Sequence, residues 1–123
     1  MGKSKESLEQ RCFDRGVRSN YLPESGPLNR KAYNLGLLVS CIKDNILRIE
    51  EEMVEYIHVS ELGLEGLRNP IKQELKGAFG DMKKEYKRFN EIKKANPSLK
   101  MEIISFRIDS AYKHAKTLKE YLI

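Results

Sequence analysis

The stretch NLGLLVSCIKDNILRIEEEMVEYI, residues 34–57, decides the fold. Its apolar residues Leu35, Val39, Ile42, Ile46, Ile49, Met53 and Tyr56 follow one another at steps of four, three, four, three, four and three. That spacing returns each side chain to one stripe of an α-helix, and sustained this long it makes a seam for other helices. Leu38 and Ile57 widen the stripe, while Lys43, Arg48, Glu51 and Glu55 hold the opposite face. The pattern predicts a long helix from about Asn29 to Ile57. Gly36 inside it costs about 1 kcal/mol relative to alanine, which leaves the helix start the least defined part.

Downstream, a connector from His58 to Arg68 is broken at Gly63 and Gly66, with Leu62, Leu64 and Leu67 as anchors. Asn69-Pro70 predicts the opening of a second helix, with Asn as the cap and Pro at the first helical position, where its missing N–H is no loss. The second seam is Ile71, Leu75, Ala78, Met82, Tyr86 and Phe89, flanked by Phe79 and Ile92. Gly77 and Gly80 either weaken this helix or admit another backbone. Asn96-Pro97 repeats the device, ending the second helix and starting a third with almost no loop, its seam being Ile104, Ile108, Ala111, Ala115, Leu118 and Leu122. Short loops imply antiparallel neighbours. Helices of about 26 residues span about 40 Å, so the body is elongated. Upstream, residues 1–30 are polar and turn-rich and read as a flexible or partly ordered arm. A short helix is expected near Leu8–Phe13, with Phe13, Tyr21, Leu22 and Leu28 pinning the arm. The expectation is therefore an all-α protein: an elongated bundle of three long helices over residues 31–123, a polar N-terminal arm, and self-association through the seams.

The formal net charge of +5 is unevenly placed. Residues 41–67 carry two basic and seven acidic side chains, whereas residues 68–100 carry ten basic and four acidic. In the second helix Lys72, Lys76, Lys83, Lys87 and Lys94 advance by four, seven, four and seven, which keeps them on one line beside the seam. Lys84, Arg88 and Lys93 broaden it, and Glu74, Asp81, Glu85 and Glu91 fall mostly elsewhere. A row of cations clear of acids is what a phosphate backbone requires. Lys72, Lys76, Lys83, Lys84, Lys87, Arg88 and Lys94 are thus the candidate nucleic-acid contacts, DNA favoured. The alternative is a solvated face that pairs with the acidic stretch before it.

Other chemistry is sparse. With two histidines and two cysteines in no ligand spacing, neither a metal site nor a cofactor is expected. Cys41, in an apolar run, is expected to be buried, and Cys12, in a polar segment, to be free. No apolar run is long enough to span a bilayer, and the first residues lack an apolar signal core, so the expected location is the cytoplasm, without membrane contact.

Four resemblances extend this reading. Arg107 and His114, two turns apart on the third helix, resemble the arginine–six residues–histidine motif of HEPN-type ribonucleases. That likeness implies Arg107 on a scissile phosphate and His114 as acid or base. The run Glu51, Glu52, Glu55 is similar to the magnesium helix of all-α nucleotide pyrophosphohydrolases, but the second E-x-x-D pair of that family is missing from the chain. Residues 32–92, with RIEEEMVEYI, a glycine-containing linker and GLRNPIKQELKGAFGDMKKEYKRF, resemble the small terminase subunit of tailed phages through Gly66, Asn69, Pro70 and Ala78. This implies a ring-forming helical protein that recognises viral DNA and feeds it to a packaging motor. The segment NPSLKMEIISFRIDSAYKHAKTL is similar to the last helix of phage sponge proteins that sequester cyclic oligonucleotides, chiefly through IDSAYKHA. The leading expectation is a non-enzymatic, homo-oligomeric, nucleic-acid-binding helical protein. A helical interaction or small-molecule-sequestering protein stands second, and a HEPN-like ribonuclease third.

Overall fold

The computed structural model describes residues 7–21, 29–62 and 68–121. They form four helices, α1 (Leu8–Val17), α2 (Arg30–Glu61), α3 (Arg68–Ala95) and α4 (Glu102–Tyr121), with no strand among the described residues. The protein is all-α, as its periodicity predicts. The three long helices are α2, α3 and α4. The expected count is corrected by α1, a short fourth helix lying within the segment read as an arm. α2 packs against each of the other three and is the spine of the bundle. Its 32 residues run about 48 Å.

The seams are where the spacing places them. Val39, Ile42, Ile46, Ile49 and Met53 of α2 are buried, as are Ile71, Leu75, Met82 and Phe89 of α3 and Ile104, Ile108, Ala111 and Ala115 of α4. At the far end of α2 the buried residue is Ile57, and Tyr56 is only partly covered. An α-helix of 3.6 residues per turn drifts by about 20° per heptad against a strict 3.5-residue seam, so after several turns the adjacent position takes over.

Helix boundaries follow their caps, with two departures from the sequence reading. The Asn29 side chain accepts a hydrogen bond from the Ala32 backbone N–H at 3.0 Å and opens α2. α3 begins at Arg68, so Asn69 and Pro70 lie inside its first turn, where the missing proline N–H is one of the helix's unpaired donors in any case. Asn96-Pro97 does not open α4. The Asn96 amide instead donates to the carbonyl of Ile92 at 2.8 Å and closes α3. The chain then turns through Leu99, whose N–H donates to the Asn96 carbonyl, and reaches α4 only at Glu102. The extra residues insert Leu99 and Met101 into the core, at 7% and 5% exposure.

α1 is held by four devices. Ser7 caps it, accepting from the Gln10 N–H at 3.0 Å. Phe13 and Cys12 are buried against the bundle. The buried Gln10 side chain reaches the α3–α4 turn, where Lys100 N–H donates to its Oε1 at 2.7 Å and its Nε2 donates to the Lys100 carbonyl at 3.1 Å. Finally, α1 crosses α2 at Gly16 and Gly36. A Cβ on Gly16 would lie 2.1 Å from the Tyr33 carbonyl oxygen, and one on Gly36 2.2 Å from that of Phe13. Tyr21, expected to pin this segment, is 72% exposed; Leu22 and Leu28 lie outside the described residues. Both cysteines are free, Cys12 buried by α1 packing; Cys41, expected to be buried, instead sits exposed on the outward face of α2 beside the inward Ile42.

Candidate nucleic-acid interface

The α3 seam faces inward through Ile71, Leu75, Met82 and Phe89, which turns the neighbouring line of side chains outward. Lys72, Lys76, Lys83, Lys84, Lys87, Arg88 and Lys94 are all exposed. Lys43 pairs with Asp44 at 3.2 Å and His114 with Glu50 at 2.8 Å, and neither pair uses one of these seven cations. Of the acids of α2, Glu50 is engaged by α4 and Asp44 by its own helix. Glu51, Glu52 and Glu55 are exposed on α2. Glu85, the partly covered acid of α3, accepts from the Asn45 amide at 3.3 Å instead. A line of cations without carboxylate partners repels itself along its length and attracts a polyanion.

The row is tied to α4 by stacked rings. Tyr112 of α4 lies between Phe79, with centroids 5.6 Å apart, and Tyr86, at 4.1 Å and 10° between planes. The Tyr86 hydroxyl donates to Asp109 Oδ1 at 2.7 Å. That bond to a carboxylate, aided by burial, holds the Tyr86 phenol above its ordinary value of 10. Lys83 Nζ lies 6.0 Å from the centroid of Phe79, and Lys119 Nζ of α4 lies 4.8 Å from the same ring. The face thus spans two helices. Lys119 is the residue that linear spacing misses, because it joins the row only through tertiary packing; the trace it left was the Lys113, Lys116, Lys119 series near the end of α4. Lys93, which broadens the row in sequence, donates to Ser105 Oγ at 3.1 Å and covers Phe89.

Arg107 and His114 have different surroundings. Arg107 is exposed and lines a cleft between α1, α2 and α4. His114 does not line that cleft, and its Nδ1 is engaged by Glu50 of α2. Among the described residues no group of three His, Cys, Asp or Glu side chains is placed to hold a metal ion, and no helix is long and apolar enough to cross a membrane. Gly66 of the terminase-like motif lies outside the described residues. No family model, no curated protein and no solved structure matches the chain.

Proposed function

We propose that this protein binds nucleic acid without catalysing a reaction, DNA in the first place, as a self-associating helical subunit of the kind that small terminases exemplify. The observation that carries the reading is the exposed row of seven cations on α3, used by neither the Lys43–Asp44 nor the His114–Glu50 pair and extended by Lys119 across Phe79. Lysines on such a face neutralise phosphates without reading bases, so they supply affinity and orientation rather than sequence specificity. Self-association multiplies weak contacts by raising the effective concentration of each further site.

Fluorescence anisotropy of a labelled random duplex tests the reading. With about six phosphates neutralised, affinity falls on the order of a thousandfold between about 50 and about 200 mM salt. Reversal of charge in Lys83→Glu with Lys87→Glu weakens binding by well over about tenfold. Absence of binding at low salt removes the proposal. RNA cleavage abolished by His114→Ala would put the ribonuclease reading in its place. The interaction-protein reading is supported by Ile103 and Phe106, one turn apart on α4 and 83% and 73% exposed. A partner protein that binds through this pair would be lost with Phe106→Ser and kept with the α3 reversals.

A further inference from the structure

α1, α2, the α3–α4 turn and the start of α4 line a cleft of about 870 Å³. This is within the range of pockets that take small molecules. Its floor holds Ser40 and Lys43, three residues apart and therefore neighbours on the surface of α2. Ser40 is 6% exposed, and its hydroxyl, which has no hydrogen-bond partner among the described residues, is within reach of solvent. A hydroxyl within reach of solvent can donate to a group entering the cleft. The Lys43 side chain is only 16% exposed. Its carboxylate partner Asp44 is 68% exposed, which makes the pair a weak surface contact that a better-placed anion can displace. Arg107 adds a second cation from the α4 wall, with no ion pair of its own among the described residues. Val17, Ile103 and Ile104 supply an apolar lining, and Ile103 is 83% exposed. Of the other acids on the wall, Asp14 already accepts from the Gln10 amide at 2.9 Å, and Glu102 is exposed at the start of α4.

We infer that this cleft is a binding site for a small organic anion, whose carboxylate, sulfonate or phosphate head group is taken by Lys43, Ser40 and Arg107 and whose apolar body covers Ile103, Ile104 and Val17. The site shares no residue with the basic face of α3, so the two stand or fall separately. The head group gains a charge-assisted hydrogen bond from Lys43 and another from the Ser40 hydroxyl. The body removes Ile103 from water.

The test is a titration of the full chain with 1-anilinonaphthalene-8-sulfonate, an aromatic sulfonate whose fluorescence rises on leaving water. The expected result is saturable binding at one site per chain. Lys43→Met weakens it about tenfold, Arg107→Gln about threefold or more, and Lys83→Glu with Lys87→Glu leaves it unchanged. Circular dichroism melting accompanies each variant. Arg107→Gln, at an exposed position, keeps the test decisive if Lys43→Met does not fold. No saturable binding up to millimolar probe overturns the inference. So does undiminished affinity in a folded Lys43→Met protein or in Arg107→Gln.

Discussion

At Gly36 the replacement of one hydrogen by a methyl group has the most foreseeable cost. The added Cβ would stand 2.2 Å from the Phe13 carbonyl oxygen, a backbone atom that cannot turn aside. α1 would have to lift from α2, and Gly36→Ala is expected to destabilise the fold by about 3 kcal/mol. Urea denaturation measures it, and a loss under about 1 kcal/mol would show that the helices do not cross so closely. From the sequence Gly36 shows only its propensity cost. Its partner Gly16 belongs to another helix, and no spacing rule links the two. Tyr86 carries a second prediction. Its neutral phenol donates to Asp109, so its folded pKa lies above the unfolded 10. The stabilisation is complete below the unfolded value and is lost as pH rises through the folded one. Tyr86→Phe is expected to cost about 1 kcal/mol at neutral pH and to flatten the fall of stability on the alkaline side. An unchanged alkaline limb in the variant would assign that fall to other groups.

Among the elements, the long helices were legible because their information is local. A seam needs only its own spacing, and most positions of the α2, α3 and α4 seams are buried, with Leu35, Tyr56, Ala78, Tyr86 and Leu118 partly covered and Leu122 outside the described residues. The start of α4 was not legible. Asn-Pro reads equally as the start of a helix or as the end of the previous one, and only the burial of Leu99 and Met101 separates the two. The short helix near Leu8–Phe13 was legible, but the docking of α1 was not, because part of its packing surface is a glycine and a cysteine and because Gln10, a polar residue, bonds to the backbone of the α3–α4 turn. α3 contains the converse case. A Cβ built on Gly77 or Gly80 meets nothing within 4 Å, so neither glycine serves a close approach within this chain. Gly77→Ala and Gly80→Ala should each stabilise the fold by about 0.5–1 kcal/mol, read as a rise in melting temperature. If either variant gains in stability yet fails to self-associate, the glycine is reserved for a second copy of the chain.

Across the whole molecule, charge is organised more clearly than fold alone requires. The α3 row was legible because cations at steps of four and seven fall on one line whatever the tertiary structure. The reach of the face onto α4 was not, because Lys119 meets Lys83 only over the Phe79 ring. If one surface collects the phosphates, Lys119→Glu added to Lys83→Glu should weaken DNA binding by about a further threefold to tenfold and lower the salt slope by about one unit per cation removed. Equal binding with and without the α4 change would confine the interface to α3. The cleft is a different case again. Ser40 and Lys43 look like ordinary polar interruptions of an apolar helix, and only the placement of α1 and α4 turns them into the floor of a pocket.

The two cysteines make the docking of α1 something that can be timed. Cys41 is open to a thiol reagent in the native protein, whereas Cys12 is 3% exposed and covered as long as α1 stays on α2. A maleimide should therefore add once quickly and a second time only at the pace of opening. The ratio of that second rate to the rate for an unfolded thiol is an opening equilibrium constant for one short helix. Set beside the constant for global unfolding, it says whether the first turns of the chain come away alone or only when the whole bundle does.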